Sequence, residues 1–320
     1  MLTYILFILG FVILIKGADL LVNGASSLGR KNGLSQTVIG LTVVALGTSL
    51  PELIINIFAS FEGSTDLAIG NVLGSNLINT LFIIGVTALI YPIKMNGPKY
   101  RTDVLFNLFA IVILVLLAND IIFNKDSNVI NTLDGIILLL ILAGFLFFSF
   151  KKGEVETNFE ENIVIHTNIK SILLIAAGIL GLYFGGKWIV GGVDRIGADF
   201  GISQSVIGLT LIAVATSLPE LVTSVIAASK KNTDLAIGNA IGSNVFNILL
   251  VLGASALIKP INFAPSLNIE LGLLLLSALT IMLFIQLNIG GLKRTISRPE
   301  GLILVVLYIC YIIWKFFFQF

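Results

Sequence analysis

The sequence of this chain contains an internal repeat, which constrains its fold more than any other feature. Shifted by 168 positions, residues 16–93 align with residues 184–261 without a gap, and more than half of the positions from Ser35 to Ile93 are identical. Both copies contain the motif Thr-Ser-Leu-Pro-Glu, which ends at Glu52 in one copy and at Glu220 in the other. Self-similarity at a fixed spacing predicts a repeated architecture, so we expect two similar halves.

The composition places this repeat in a membrane. Of the 320 residues, 57% are hydrophobic and 12% are charged, whereas soluble domains have roughly 45–50% apolar and about 25% charged residues. Apolar runs of about 20 residues predict spanning helices. Ten such runs occur, at residues 2–24, 36–60, 66–91, 101–119, 129–150, 169–192, 204–228, 234–258, 266–287 and 299–318. No basic segment precedes the first run, so we predict a membrane helix there and not a cleaved signal.

Each copy of the repeat contains five predicted helices. Because five is odd, the second copy must enter the membrane from the opposite side. The predicted fold class is therefore an all-α membrane protein with ten transmembrane helices in two inverted five-helix repeats, in which helices 2 and 7 are broken. We predict the first repeat at residues 1–150, a polar linker at 151–168 and the second repeat at 169–320. Inverted repeats are typical of secondary transporters, whose sites lie near the membrane midplane on interrupted helices.

The loop charges predict the orientation of these helices. With the N-terminus outside, thirteen Lys and Arg residues lie in the inner loops and four in the outer segments. Cytoplasmic loops carry the excess of positive charge in membrane proteins. We therefore predict a multi-pass protein of the cell membrane with both termini extracellular and the 151–168 linker in the cytoplasm.

The second and seventh helices are predicted to be broken because each contains a proline, Pro51 or Pro219. Proline removes a donor and clashes with the carbonyl one turn earlier, so we expect carbonyls near Ala45 and Gly47 to lose their intrahelical partners. At membrane depth such carbonyls need other partners, unless they line a polar cavity or bind an ion.

Oxygen-bearing side chains surround this predicted break. Thr48 and Ser49 supply hydroxyls, and Glu52 follows Thr48 by four residues on the same helical face. An ionisable residue in the centre of a membrane helix costs roughly 2.5–3.5 kcal/mol on insertion scales, which makes Glu52 a candidate functional residue. All-oxygen sites suit hard cations such as Ca²⁺ and Na⁺. The second copy repeats the set at Thr216, Ser217 and Glu220.

The structural alternative is a capping box, in which Ser49 caps a restarted helix and Glu52 reaches back to it. The two interpretations are compatible, because a restarted helix still needs a cap. The occurrence of the motif twice, at equivalent positions in a membrane, favours ion binding.

The third and eighth helices are predicted to form the opposite wall of the site. Asn71, Ser75 and Asn79 are spaced by four residues and share a helical face; the equivalent residues are Asn239, Ser243 and Asn247. Interhelical hydrogen bonding is an equally good interpretation for some of the amides, namely Asn71, Asn76, Asn239 and Asn244. For Ser75, Asn79, Ser243 and Asn247 we favour ion ligation, because they lie deeper along the helix.

The remaining polar residues exclude several other functions. Cys310 is the only cysteine and His166 the only histidine, which argues against disulfides, zinc and Ser–His chemistry. The net charge of +1 gives no indication of a nucleic-acid partner. Asp19 and Lys187 occupy corresponding repeat positions near helix ends, where we predict snorkelling or ion pairing and no substrate contact.

The doubled motifs resemble those of a known family. ALGTSLPE followed by IGNVLGSN, repeated as AVATSLPE and IGNAIGSN, is similar to the α-repeats of the cation/Ca²⁺ antiporter superfamily, with most likeness to prokaryotic Na⁺/Ca²⁺ exchangers. The resemblance covers both halves and implies that broken helices 2 and 7, with helices 3 and 8, enclose adjacent Ca²⁺ and Na⁺ sites. The ligands it implies are Glu52, Glu220, Thr48, Thr216, Ser49, Ser217, Ser75, Ser243, Asn79, Asn247 and the carbonyls of Ala45 and Ala213. Among them we expect the Ca²⁺ ligands to include Glu52, Glu220, Thr48 and Thr216.

Two positions depart from the family pattern. Ala215 replaces the glycine found at Gly47, which predicts a stiffer hinge in one half. Asn247 stands where some prokaryotic members and the K⁺-dependent exchangers have aspartate, which implies a K⁺-independent exchanger with two buried carboxylates. The GN-x-x-E type of signature typical of the H⁺/Ca²⁺ branch is absent around the acid.

The predicted function is secondary antiport of Na⁺ against Ca²⁺ by alternating access, electrogenic, non-enzymatic and without a cofactor other than the transported ions. A monomer is compatible with the sequence. The alternative is an H⁺/Ca²⁺ or other divalent-cation antiporter, in which the buried glutamates bind protons in place of Na⁺. A more remote alternative is a membrane-embedded hydrolase using the glutamate pair. The absence of a nucleophile–base pair in the sequence argues against it.

Overall fold

The structure is a computed structural model that describes residues 2–95, 98–119, 128–151, 164–199, 213–287 and 295–318. Its first half contains helices α1 (Leu2–Lys31), α2 (Gln36–Thr48), α3 (Leu50–Glu62), α4 (Thr65–Ile90), α5 (Pro98–Ala118) and α6 (Thr132–Lys151), with strands β1 (Ile93–Lys94) and β2 (Val129–Ile130). Its second half contains α7 (Asn168–Asp199), α8 (Ala213–Thr216), α9 (Leu218–Ser229), α10 (Thr233–Ile258), α11 (Asn268–Leu287) and α12 (Arg298–Phe318), with strands β3 (Ile261–Asn262) and β4 (Thr295–Ile296).

These helices form a ten-span membrane protein. Within the described residues, α1, α4, α6, α7, α10 and the helical segment Pro265–Phe284 that includes most of α11 are each long and apolar enough to cross a membrane, and the bent pair α2–α3 provides a seventh span. Helices α5 and α12 and the pair α8–α9 complete the predicted ten. The start of the predicted seventh span, and residues 152–163 of the predicted linker, lie outside the described residues.

The two halves are inverted relative to each other. Helices α1 and α7 are repeat mates that pack antiparallel, since Gly10 faces Gly185 while Gly17, further along α1, faces Gly178. At Gly17 an added Cβ would lie 2.9 Å from the Gly178 carbonyl oxygen, so only glycine permits this approach. The short strands also pair across the two halves: β1 pairs with β4 and β2 pairs with β3, both antiparallel.

Helices α4 and α10 form the centre of the molecule. In their apolar windows 72% and 78% of the residues are buried, against 33% in α1 and 28% in α7. Helix α10 crosses α2 where Gly238 meets Gly40, and a Cβ on Gly238 would lie 2.6 Å from the Thr37 carbonyl oxygen. This contact brings the polar residues of α10 from one repeat to the broken helix of the other.

Each of these three helices contains a π-helical turn. The turns cover Gly40–Val44 in α2, Ile78–Ile83 in α4 and Asn247–Leu252 in α10. Such turns frequently occur at functional sites. In α4 and α10 they begin at or next to Asn79 and Asn247, which are both buried.

Two helices are longer than predicted. The predicted spans 2–24 and 169–192 become α1 and α7, which continue to Lys31 and Asp199. The apolar runs set only the part of a helix that crosses hydrocarbon, whereas a helix continues into water as long as its backbone bonds and its neighbours support it.

Candidate ion-binding site

Polar residues of the second span lie at the break between α2 and α3. Helix α2 ends at Thr48 and α3 restarts at Leu50 with a bend of 46°. Pro51 lies in the first turn of α3, where a missing N–H removes no intrahelical bond. The seventh span repeats this arrangement, since α8 ends at Thr216 and α9 begins at Leu218.

One expected consequence of the proline is wrong. The Ala45 carbonyl keeps its intrahelical partner, because the Ser49 N–H donates to it at 3.0 Å. The Thr48 hydroxyl donates to the same carbonyl at 3.2 Å. Pro51 therefore does not free this carbonyl, since the N–H four residues after Ala45 belongs to Ser49. A ligand role for the Ala45 carbonyl stays a prediction.

The serines after the break do not cap the restarted helices. Ser49 and Ser217 occupy the N-cap positions, but neither side chain accepts a capping hydrogen bond. The Ser49 Oγ instead donates to Glu220 Oε1 in the other repeat, at 3.0 Å. The capping box is therefore not formed, and the polar motif is directed into the space between the repeats.

The two glutamates lie at the centre of this space. Glu52 and Glu220 are both fully buried. Glu220 Oε1 accepts hydrogen bonds from Ser49 and, at 3.3 Å, from Ser243 of α10. The Thr216 hydroxyl donates to Asn71 Oδ1 at 3.5 Å, whereas the Ser217 hydroxyl and both carboxylate oxygens of Glu52 have no partner at hydrogen-bonding distance. Glu220 Oε2 also lacks one.

Negative charge at this site has no positive side chain to balance it. In the described part of the chain, neither glutamate forms a salt bridge, and the two carboxylates repel each other. Uncompensated buried charge is costly, so these groups need a cation or a proton. No cluster of three or more His, Cys, Asp or Glu side chains occurs among the described residues. A cation here would therefore be held by two carboxylates and neutral oxygens.

Helices α4 and α10 supply those neutral oxygens. The Ser75 Oγ and both polar atoms of the Asn79 amide are buried without a hydrogen-bond partner. Asn247 donates through Nδ2 to Asn76 Oδ1 at 3.1 Å, which leaves its own Oδ1 as a buried, unpartnered acceptor. The oxygens of Ser75, Asn79 and Asn247 are unpaired acceptors, which a desolvated Na⁺ or Ca²⁺ requires as ligands.

The amides nearer the starts of α4 and α10 hold helices together. Asn71 donates to Asn56 of α3 at 2.8 Å, and Asn239 donates to Ser224 of α9 at 3.0 Å. Asn239 also accepts from the Thr48 hydroxyl at 3.1 Å. Of the two interpretations left open for these asparagines, the structure supports interhelical hydrogen bonding.

Asn56 and Ser224 were missed by the sequence analysis, although both are fully buried. Asn56 donates to the Ala68 carbonyl, and Ser224 donates to the equivalent carbonyl of Ala236. They occupy equivalent repeat positions as polar residues in apolar helices, and this coincidence could have identified them.

Comparison with known proteins places this arrangement in a family. The sequence profile of the family described as sodium/calcium exchanger protein matches residues 2–151 and 170–317. The chain belongs to the sodium/calcium exchanger family. That family consists of transporters, so this exchanger is a multi-pass membrane transporter.

Several relatives of this exchanger are similar over their whole length. It is 36% identical to CaxA of Alkalimonas amylolytica, which is named as a candidate antiporter, over 97% of this chain and 98% of the relative. It is 31% identical to the sodium/calcium exchanger MaX1 of Methanosarcina acetivorans, over 98% of both chains. Solved structures of the sodium-calcium exchanger NCX_Mj, soaked with Na⁺ and Ca²⁺, match with a TM-score of 0.84 at 30% identity and 98% coverage of both chains.

The structure of this exchanger brings most of the predicted ligands together at one place. Hydrogen bonds across the repeats join Thr48 to Ser243, Ser49 to Glu220 and Thr216 to Asn71. Glu52 and Ser217 are buried, and the charge of Glu220 repels that of Glu52. Ser75, Asn79 and Asn247 are buried on the two central helices. Ala213 is the first described residue of α8, and the segment before it lies outside the described residues.

Proposed function

We propose that this exchanger carries Ca²⁺ in one direction and Na⁺ in the other, through a site centred on Glu52 and Glu220. The observation that carries the proposal is the pair of buried carboxylates, which have three unpartnered oxygens and no salt bridge to a basic side chain among the described residues. Two carboxylates balance one Ca²⁺ without residual charge, and the surrounding hydroxyl and amide oxygens complete an oxygen-only ligand set. Two relatives are named sodium/calcium exchangers, which supports the same pair of ions.

Exchange follows if the two ions compete for the same oxygens. Na⁺ bound at Glu52 and Glu220 occupies the groups that Ca²⁺ needs, so the two substrates exclude each other. Alternating access then requires α1 and α7 to move against the core formed by the other helices. If more than two Na⁺ replace one Ca²⁺, each extra charge couples transport to the membrane potential at about 2.3 kcal/mol per 100 mV.

The ligand set further supports transport that does not require K⁺. Position 247 is an uncharged asparagine whose amide nitrogen is held by Asn76. The site therefore has two carboxylates, and a third cation such as K⁺ has no additional negative charge to neutralise. We assign the other predicted ligands as residues that bind the ion through an uncharged oxygen: Thr48, Ser49, Ser75, Asn79, Ala45, Ala213, Thr216, Ser217, Ser243 and Asn247.

A Na⁺-gradient-driven flux assay tests this function. Uptake of radioactive Ca²⁺ into proteoliposomes is measured for the wild type, Glu52→Gln and Glu220→Gln. We expect both variants to lose at least about tenfold in flux, because each removes a charged ligand from a buried cation. Asp66→Asn is the control, because it removes an exposed carboxylate in the first turn of α4 and leaves the site intact. Unchanged flux in both site variants would falsify the site assignment.

A second candidate function is H⁺/Ca²⁺ antiport through the same site. The unpartnered carboxylate of Glu52, which the charge of Glu220 repels, favours it, because a proton relieves that repulsion. The same proteoliposomes distinguish the two functions. Ca²⁺ uptake that follows a pH gradient and ignores a Na⁺ gradient selects the proton-driven antiporter.

A further inference from the structure

Two pairs of charged residues occupy equivalent positions in the two repeats, with their signs exchanged. Asp19 of α1 corresponds to Lys187 of α7, and Glu62 at the end of α3 corresponds to Lys230, which directly follows α9. Because the repeats are inverted, an α1–α9 pair lies at one membrane surface and an α7–α3 pair at the other. Each pair contains one carboxylate and one ammonium group, so each is able to form a salt bridge.

The first pair is formed. Lys230 Nζ lies 2.5 Å from Asp19 Oδ1 and 2.8 Å from Asn23 Oδ1, and Asn23 Nδ2 donates to the second oxygen of Asp19. Leu21 of α1 and Val222 of α9 belong to one apolar cluster in the same region. Helix α1 is therefore closed against α9 at this surface.

The second pair is not formed. Lys187 and Glu62 are exposed, and neither has an ion-pair partner among the described residues. A cavity of about 250 Å³ lies between α7 and α3, lined by Lys187, by Phe58 and by Thr216 of the ion site. Phe58 precedes Glu62 by one helical turn on the same face. Lys187 thus faces the surface of α3 that ends in Glu62, across an open gap.

The structure is therefore asymmetric where the sequence is symmetric. One repeat mate, α1, is held on its neighbour by a salt bridge, while the other, α7, stands away from its neighbour beside a cavity that reaches the ion site. Exchange of these two arrangements by the inverted symmetry would close the cavity and open the opposite surface.

We propose that Asp19–Lys230 and Lys187–Glu62 are alternating latches that set which surface the ion site opens to. The first latch holds α1 on α9 while the α7–α3 side is open, and the second forms when α7 closes on α3 and α1 leaves α9. The proposal rests on the proposed function, because it assigns these four residues the opening step of exchange. They are positioning residues, since none of them touches the ion site. An exposed ion pair contributes little, which suits a latch that must open in every cycle.

Thiol accessibility at the two surfaces tests the latches. Phe58→Cys reports on the cavity, and Ile226→Cys is its repeat counterpart at the other surface. Both are made in full-length protein with Cys310→Ser, since Cys310 is an exposed cysteine. The modification rate by a membrane-impermeant maleimide is measured in proteoliposomes, with the reagent on each side in turn.

Removing one latch is expected to favour the state held by the other. Asp19→Asn lowers the rate at Phe58→Cys and raises it at Ile226→Cys by about two- to fivefold, the size expected for an exposed ion pair. Glu62→Gln changes both rates in the opposite direction. The double variant Asp19→Lys with Lys230→Asp restores the wild-type rates, which loss of folding would not do.

Lys259 provides a matched control. Its ammonium lies beside Gly63, so it is another cation near Glu62 but does not belong to α7. Lys259→Gln leaves both rates unchanged under the proposal. Equal rates in Asp19→Asn, Glu62→Gln and the wild type, or shifts in the same direction, overturn the latches. These rates require no flux, so opposite shifts combined with Na⁺-independent flux retain the latches and reject Na⁺/Ca²⁺ exchange.

Discussion

Glu52 and Glu220 occupy equivalent positions in the repeats, yet their surroundings differ. Glu220 accepts hydrogen bonds from Ser49 and Ser243, whereas both oxygens of Glu52 lack partners. A hydroxyl both donates and accepts. The same side chain is therefore able to donate to a carboxylate in one state of the site and to bind a cation through its oxygen in another state. In this structure Glu220 is therefore held by hydrogen bonds, whereas Glu52 is not.

Ser49→Ala tests the cross-repeat contact at the residue scale. The variant removes the 3.0 Å hydrogen bond to Glu220 and one predicted ligand. Hydrogen bonds to charged groups contribute about 1.5–3 kcal/mol, so we expect the Ca²⁺ concentration for half-maximal uptake to rise about tenfold or more. Concentration-dependent uptake into proteoliposomes measures this change. Ser64→Ala is the control, because Ser64 is exposed and makes no side-chain capping bond. An unaltered half-maximal concentration in Ser49→Ala contradicts the assignment.

Close crossings between helices, such as that of α10 with α2, determine how the helices of this exchanger are arranged. Gly238 and Gly40 allow α10 to reach α2, and through this crossing Asn239 accepts a hydrogen bond from Thr48. Small residues at helix interfaces permit such approaches in membranes, where packing and interhelical hydrogen bonds drive association. The crossing determines that each half of the site is completed by the other repeat.

Gly238→Ala tests the crossing at the element scale. The added Cβ would lie 2.6 Å from the Thr37 carbonyl oxygen, which belongs to the backbone and has no room to yield. Overpacking of this kind costs about 1–3 kcal/mol, so we expect a lower melting temperature in detergent and weaker Ca²⁺ uptake. Gly272→Ala is the matched control, since nothing lies within 4 Å of its added Cβ. Equal melting temperatures for the two variants would show that the crossing is looser than described.

The whole molecule is organised by inverted symmetry, which places the end of α3 and the end of α9 on opposite sides of the membrane. The distribution of Lys and Arg further predicts that the α3 end is extracellular. The cavity beside Phe58 and Lys187 then opens to the outside. The orientation therefore determines from which side of the membrane ions reach the open cavity.

Two serines test the orientation at the scale of the molecule. Ser64 follows α3 and Ser229 ends α9, and both are exposed. In intact cells carrying Cys310→Ser, we expect an impermeant maleimide to label Ser64→Cys and to spare Ser229→Cys until the membrane is permeabilised. The reverse pattern would invert the predicted topology, and labelling of both in intact cells would contradict the inverted repeat itself.

The sequence by itself determined the architecture and the chemical character of the site. The offset of 168 positions, the odd number of helices in each repeat and the doubled Thr-Ser-Leu-Pro-Glu motif can be read without knowledge of the fold, and each predicted a feature that the fold contains. The burial of Glu52 and Glu220 follows from their position in apolar runs. Asn56 and Ser224 were not predicted, because one polar residue in a helix does not reveal its partner, and only their equivalent positions in the two repeats distinguish them.

Only the tertiary structure decided which contacts are made. Two nearly identical motifs carry the same local information, so neither can specify that Ser49 meets Glu220 while Glu52 stays unpartnered. Nor could Asp19 be assigned to Lys230, 211 positions away. The physical reason is that helix formation depends on neighbours within one or two turns, whereas the packing of α1 and α7 depends on the whole chain. A symmetric sequence therefore gives an asymmetric molecule, with one side closed and the other open.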